Sequence, residues 1–554
     1  MKLYTDMVDP SIDPLSPENP LISLTEPLTG TSISTASRYH VVSKSPLTGT
    51  IADSSSGGSF GAVLKATGID GMVVIGRAQH PVWLYVTENG VEFHDASDIW
   101  VRLTNETRDH LIAATYKKAS VASIGPAGEN GVPFAAIMND NDRAAGRAGM
   151  GTVMGAKNLK AIVAYGERKT PVADPEALKA FMKRLLILID KNPVTGKSLQ
   201  LLGTSVLVNV INAHGMFPTR NFQRGVFNDA EGISGEKIAE TILTKKSACW
   251  KCPIACGRVT KTRNDEGEGP EYESVWGFSA QLGASDLEAA ARANYACNRL
   301  GLDTITTGNT VGCAMELQQI GAWPDGPRWG QVDQLTDWIQ DIAYKRGMGA
   351  NLALGAKKLA EKYGRPDVAM AVKGLELPAY DPRGAQGMAL AYATSNRGEC
   401  HMRAYMIAPK ILGQPVFMDR YSTAGKAKLT ALFQDISAAA NSMALCRFLQ
   451  FSCGIDALTD MLKLVTGLDF TSNEVVRIGT RTLERWFNQK NGFSRKDDTL
   501  PKRLLEEPFT EGASRNRVVK LDEMLNEYYN LRGWDQNGHP TESTLHELLL
   551  LQQS

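Results

Sequence analysis

Cys249, Cys252 and Cys256 stand together in C-W-K-C-P-I-A-C, and Cys446 follows far downstream in A-L-C-R-F. Three clustered thiolates plus one remote thiolate is a common way to hold an iron–sulfur cluster. If all four serve one site, the fold must bring two distant segments into contact, and few chain paths allow that. Two other readings stand beside it. Four cysteines can make a structural zinc site, or lie reduced and buried as small hydrophobes. Zinc ribbons usually supply a second close pair, which this sequence lacks.

A chain of 554 residues has room for three or four ordinary domains. Hydrophobic residues at 43% and charged residues at 22% match a soluble globular protein. Lys plus Arg equals Asp plus Glu at 60 each, so no basic field draws nucleic acid or an anionic membrane. No apolar run approaches the length of a membrane span, and the N-terminus has no secretory h-region. Eight irregularly spaced cysteines point to reduced thiols and a cytoplasmic protein. Glycines gather at 57–61, 146–151 and 383–387, which suggests a large ligand approached closely from several sides.

The patterning predicts an α+β chain. Residues 1–170 read as β-rich, with β-branched or aromatic runs ended by Gly, Pro or Asn and a last strand at 160–166. From about 172 the pattern turns helical: Asp174 is an N-cap, Pro175 sits at the first helical position, and an apolar stripe follows. Soft boundaries fall near 170 and 375, giving units 1–170, 171–375 and 376–554. The last strong helix stops at Gly533. N-R-L-G-L-D (298–303) and N-S-M-A-L-C (441–446) share the form N-x-x-small-Leu-x, and the second ends at the remote cysteine. Two such loops could grip two halves of a pseudo-symmetric ligand; six residues can also agree by chance.

Other motifs are weak taken singly. G-R-A-G-M-G (146–151) fits neither a P-loop nor the Rossmann fingerprint; it leaves a phosphate-binding turn before a helix or a plain tight turn. G-P-E-Y-E-S-V-W (269–276) puts Glu271 and Glu273 beside aromatics, where burial would raise a carboxyl pKa and suit it to proton transfer, against a surface acidic stretch. His401 in E-C-H-M-R is either a structural histidine or a catalytic one.

Taken in order, R-Y-H-V-V-S-K-S-P-L-T-G, D-R-A-A-G-R-A-G-M-G-T-V-M-G-A-K, C-x-x-C-P-I-A-C-G-R-V, G-P-E-Y-E-S-V-W, G-L-D-T-I-T-T-G, L-P-A-Y-D-P-R-G and Y-Y-N-L-R-G-W span the chain. This set resembles the tungsten-containing aldehyde:ferredoxin oxidoreductase family, and its aldehyde oxidoreductase branch most closely. The resemblance implies a β-rich base domain holding two pterins that chelate one tungsten (molybdenum being the alternative), covered by two mainly helical domains. It implies that Cys249, Cys252, Cys256 and Cys446 ligate a [4Fe–4S] cluster, with Arg38 between cluster and pterin. Gly57, Arg143 and Ala144 would serve a Mg2+ that bridges the pterin phosphates. Asn298, Gly301, Leu302 and Asp303 would hold one pterin, and Asn441 and Leu445 the other. Glu273 and His401 would manage protons at the metal, with Tyr272 and Thr304 lining the substrate pocket. The reaction implied is aldehyde plus water to carboxylic acid, with electrons leaving singly to ferredoxin or a ferredoxin-like subunit.

Four departures from the family pattern carry expectations. Family chains begin with several dozen further residues, so either the start site is placed too late or the first domain is truncated; truncation would leave an exposed strand edge and an incomplete cofactor floor. Both pterin loops usually begin with Asp; Asn298 and Asn441 replace a charge-assisted bond by a neutral one, weakening each grip by about 1 kcal/mol and altering redox tuning or metal choice. The E-x-x-H that can bridge a dimer through a metal is here Arg292-Ala-Asn-Tyr295, so an oligomer would not form by that route. Ser55 replaces the usual Asn near the magnesium. Carboxylic acid reduction at the same centre and an inactive remnant are the rival functions.

Overall fold

The computed structural model describes residues 1–554 except 141, 414–415, 479–481 and 551–554, and leaves the side chains at 478 and 548–550 undescribed. β1 (Leu21–Leu24), β2 (Tyr39–Lys44), β3 (Ile51–Ser56) and β4 (Gly71–Val74) form a four-stranded antiparallel sheet in the order β3-β2-β1-β4. One edge of this sheet is covered: Ile51 N–H on β3 donates to Asn488 Oδ1 at 3.0 Å. A six-stranded sheet follows, made of β5 (Val82–Thr87), β6 (Gly90–Asp95), β7 (Ser120–Ser123), β8 (Ile137–Asn139), β9 (Arg143–Ala145) and β10 (Leu159–Ala164). Its order is β6-β5-β10-β7-β8-β9, and its one parallel pair is β5 with β10. β10 is buried along its whole length, as expected for a central strand with apolar side chains on both faces. Tyr39, Phe60, Ile137, Val153 and Ile162 join the two sheets in one core.

The helical part opens with α1 (Pro175–Lys191), whose N-cap Asp174 accepts a hydrogen bond from Ala177 N–H at 3.0 Å. Further along lies a small antiparallel sheet of β11 (Leu243–Ser247), β12 (Gly257–Lys261) and β13 (Glu266–Glu268), absent from the sequence reading. The cysteine segment is the connection between β11 and β12. α2 (Tyr272–Gly277), α3 (Leu287–Leu300), α4 (Thr304–Gln319), α5 (Lys426–Asn441) and α6 (Leu521–Arg532) follow. α6 ends at Gly533 with φ +65°, as its sequence predicts. The largest apolar core takes Val208, Trp276 and Tyr295 together with Leu390, Tyr392 and Tyr528, so it crosses position 375.

One expectation about membranes needs correction. Residues Pro193–Ala213 reach the length and hydropathy of a span, with mean hydropathy 1.2. The segment is broken rather than continuous: Gly203 has φ +64° and ψ −160°, and Val208 and Ile211 beyond it are fully buried in the protein core. The polar residues Lys197, Ser198, Gln200 and Thr204 hide the segment from inspection of apolar runs.

α2 and α4 cross at two glycines, which sets the heads of both helices side by side. A Cβ on Gly308 would lie 2.5 Å from the Gly277 carbonyl oxygen. Gly308→Val should therefore force the helices apart and destabilise the protein by about 1–3 kcal/mol, seen as a lower melting temperature; an unchanged melt would mean the crossing relaxes freely.

Candidate functional site

The β3 turn, the β9 edge, the cysteine segment and the heads of α2 and α4 surround one cavity of about 420 Å³. All four cysteines singled out by sequence line it, together with Arg38, Gly57, Arg143 and Ala144. Asn298, Leu302, Asp303, Asn441 and Leu445 line it as well, as do Tyr272, Glu273, Thr304 and His401. Gly301 does not: it is the left-handed C-cap of α3, with φ +74°, and its carbonyl accepts a hydrogen bond from Ala136 N–H at 2.9 Å. Its role is to turn the chain so that Leu302 and Asp303 reach the cavity.

The two echoing segments have one local structure. α3 ends at Leu300 and α5 at Asn441, and the small residue of each motif takes a left-handed conformation, Gly301 at φ +74° and Ala444 at φ +58°. The next leucine then bonds back across the helix end: Leu302 N–H to Cys297 O at 2.8 Å, and Leu445 N–H to Ala440 O at 3.1 Å. That pattern is a Schellman-type closure. Both segments are tied to the β-rich region through the residue that follows, Asp303 N–H to Phe134 O and Cys446 N–H to Thr35 O, each at 3.2 Å. Asn298 Nδ2 points toward the Glu268 carbonyl at 3.4 Å, a donation an aspartate could not make.

The thiols form the lower wall. A Cβ on Gly57 would meet Cys249 Sγ at 2.8 Å and Arg38 Nη1 at 3.8 Å, so only glycine lets the β3 turn approach the cysteine segment. Arg38 Nη2 donates to Ser55 O at 3.2 Å and Ser55 Oγ at 3.1 Å, which assigns the Ser55 side chain to orienting Arg38. Burial pushes the Cys252 thiol up to about 12 and also raises Cys256 and Cys446. Metal binding must expel those protons and is coupled to them. Among the described residues, no three His, Cys, Asp or Glu side chains stand close enough to share a single ion.

Also lining the cavity, Glu273 Oε2 accepts from Ala379 N–H at 2.9 Å, while Oε1 has no hydrogen-bond partner and lies 3.7 Å from His401 Nε2. His401 Nδ1 is buried and also without a partner. Burial raises the Glu273 carboxyl to about 8, against the Ala379 N–H and Arg147. Burial lowers His401 to about 3, helped by Arg147 and Arg397. At neutral pH the pair therefore holds its proton on the glutamate and keeps the imidazole neutral. Tyr272 lies against Tyr380 with centroids 5.3 Å apart, and Tyr380 lies 5.8 Å from both His401 and Tyr405, giving this end aromatic walls. Thr304 Oγ1 accepts a hydrogen bond from Ser274 Oγ at 2.9 Å at the junction of the two helix heads.

Several cavity residues escaped the sequence reading. Arg147 donates through Nε to Asp303 Oδ2 at 3.2 Å, through Nη1 to Glu399 Oε2 at 2.8 Å and through Nη2 to the Glu376 carbonyl at 2.9 Å. Its signal was present: an arginine inside a glycine-rich turn. The turn itself is no open phosphate loop, since a Cβ on Gly149 would stand 2.1 Å from the Pro133 carbonyl. Cys400 is buried with Arg397 Nη2 at 2.9 Å; burial alone would raise its thiol, but Arg397 and Arg403 outweigh it and hold it below the ordinary range. Arg403 in turn pairs with Asp53 and Glu484. Arg143, expected at a cofactor, is paired with Glu268 and lies 3.4 Å from Glu271. The third glycine cluster is misplaced by the sequence reading: a Cβ on Gly384 would strike Met216 at 2.7 Å, in the apolar core away from the cavity. Tyr295, of the altered E-x-x-H, is buried and donates to Thr260 O at 2.8 Å, so it faces the core rather than a surface metal.

The N-terminal domain model of aldehyde ferredoxin oxidoreductase matches residues 1–166, and the model of its domains 2 and 3 matches residues 180–550. A tungsten-containing aldehyde ferredoxin oxidoreductase of Pyrococcus furiosus is 48% identical over 554 aligned residues, which cover 98% of this chain and 92% of that protein. The Thermococcus kodakarensis protein of the same name is also 48% identical, with the same coverage of 98% and 92%. Among solved structures, the active site complex BamBC of benzoyl coenzyme A reductase has the same fold, with a TM-score of 0.84 at 23% identity over 99% of this chain and 91% of that one. The chain belongs to the aldehyde ferredoxin oxidoreductase family.

Proposed function

We propose that this protein oxidises aldehydes to carboxylic acids at a tungsten bis-pterin centre and passes the electrons through a [4Fe–4S] cluster to a ferredoxin, in the reducing compartment its eight free cysteines suit. The observation that carries this reading is the single cavity that collects four thiols, two matching helix ends and the Glu273–His401 pair. The residues fit such a group: buried Glu273 Oε1 and His401 Nδ1 have no protein partner, and buried polar atoms normally have one. Cys249, Cys252, Cys256 and Cys446 would hold the cluster. The two helix ends, with Asn298, Leu302 and Asp303 on one side and Asn441 and Leu445 on the other, would hold the pterins. Arg38, Gly57, Arg143 and Ala144 would face their phosphates and a bridging Mg2+. When bound, the tungsten pterin supplies a two-electron centre and the cluster a one-electron exit.

The chain's own residues handle water, protons and orientation. Aldehyde plus water gives carboxylic acid, two electrons and two protons. Glu273 Oε1 is the proton acceptor for the water that adds to the carbonyl carbon. Neutral His401 orients the carbonyl oxygen by a hydrogen bond. The tyrosine walls exclude bulk water and accept an apolar aldehyde side chain.

Glu273 works as a base only once deprotonated, so kcat/KM should rise with pH through about 8. Glu273→Gln should lower it ~100-fold or more and flatten that rise; a variant that keeps the wild-type rise would remove Glu273 as the base. Native protein should carry tungsten and about four irons per chain, and Cys446→Ser should lose iron. Full iron retention in that variant would strike Cys446 from the ligand set, and zinc in place of iron would sink the cluster reading.

A further inference from the structure

α1 carries apolar side chains on both faces. Its inner face, with Leu178, Phe181, Leu185 and Ile189, packs into one core with Ile254 and Leu445 of the two cysteine segments, and Cys252 and Cys256 lie against that core. Its outer face leaves Leu186, Ile187 and Leu188 exposed at 43%, 54% and 49%. Leu201, 49% exposed, stands on the next helical turn, whose Leu199 shares the same core. Gln200 Nε2 donates to Pro253 O at 3.2 Å, which ties that turn to the cysteine segment itself. Three consecutive exposed apolar residues, on a helix whose other face already fills a core, mark a contact surface.

The rim is basic. Lys183, Arg184, Lys191 and Lys197 are exposed, and among the described residues none is in an ion pair. Glu176 and Asp190 on the same helix are outnumbered by these cations. Since the whole chain is neutral, this is a local field. A second copy docking by two-fold symmetry would set these cations against one another. An acidic partner would not meet that repulsion. Cys252 and Cys256 lie against the core that the inner face of α1 fills, so one helix and that core separate a partner on the outer face from the thiols.

We propose that the outer face of α1 docks an acidic one-electron iron–sulfur carrier that takes electrons from the cluster. This rests on the function proposed above. The balance is simple: each aldehyde, oxidised with water as the oxygen source, yields two electrons, so two carriers dock in succession and each leaves reduced by one.

The test uses the loaded enzyme, a purified acidic ferredoxin and benzyl viologen, a small dye that needs no docking surface. Lys183→Glu combined with Arg184→Glu, and separately Ile187→Ser, should each lower ferredoxin-dependent kcat/KM about tenfold with the viologen rate unchanged; the charge reversal should also flatten the decline with added salt, and the uncharged Ile187→Ser should keep the wild-type salt dependence. Ferredoxin kinetics equal to wild type would overturn the proposal. If the wild-type protein oxidises no aldehyde even with viologen, the function reading fails, and ferredoxin binding measured directly still decides the surface: binding lost in both variants supports it, and equal binding overturns it. Sedimentation of the chain alone and with anionic vesicles completes the test. Self-association or vesicle binding that Ile187→Ser abolishes, with ferredoxin binding intact, would assign the face to those partners and overturn the proposal.

Discussion

Arg147 reaches out of the β-rich region and grips three segments of the helical part at once: Asp303 at the head of α4, the Glu376 carbonyl, and Glu399 two residues before His401. The guanidinium and its partners are almost wholly buried. Removing one member of such a group strands the remaining charge out of water, at a cost of about 3–5 kcal/mol. The planar, multi-donor guanidinium suits this task, where a lysine ammonium would hold one partner well. Through this contact the sheets, the first helix end and the His401 segment share one frame. Thr306 strengthens it, bonding both Asp303 and Glu376 at 2.8 Å.

Within that frame the cavity is closed by two helix ends of the same design. A left-handed residue after the last helical turn lets the following leucine turn back and the next residue reach the β-rich region. Glycine does this without strain at 301; at 444 the chain uses alanine, at a cost of about 1–2 kcal/mol, maintained by the surrounding contacts. Asp303 continues into a helix and Cys446 into a thiol, so a shared scaffold carries two different chemical ends.

The acid–base pair shows how one burial event splits two groups. Desolvation disfavours charge on both Glu273 and His401, which drives the carboxyl up and the imidazole down. The positive charge of Arg147 adds to the effect on His401 and opposes it on Glu273. Two neighbouring groups thereby hold one proton between them in a defined place, an arrangement suited to proton transfer.

The order of elements was legible in the residues. Asp174-Pro175 announced α1, Gly533 the end of α6, and the segment 160–166 the last strand of the β-rich region, because caps and periodicity are local properties of the chain; that strand's interior place in the sheet was not legible. Cysteine spacing and the echo at 298–303 and 441–446 marked which segments converge, since thiol ligands and left-handed turns demand particular residue types. The Arg147 network, the Arg397–Cys400 contact, the buried place of Gly384 and the sheet around the cysteine turn were decided by tertiary structure alone. Each depends on which distant groups meet and on how much water is removed when they do, and neither quantity is carried by residue type or spacing.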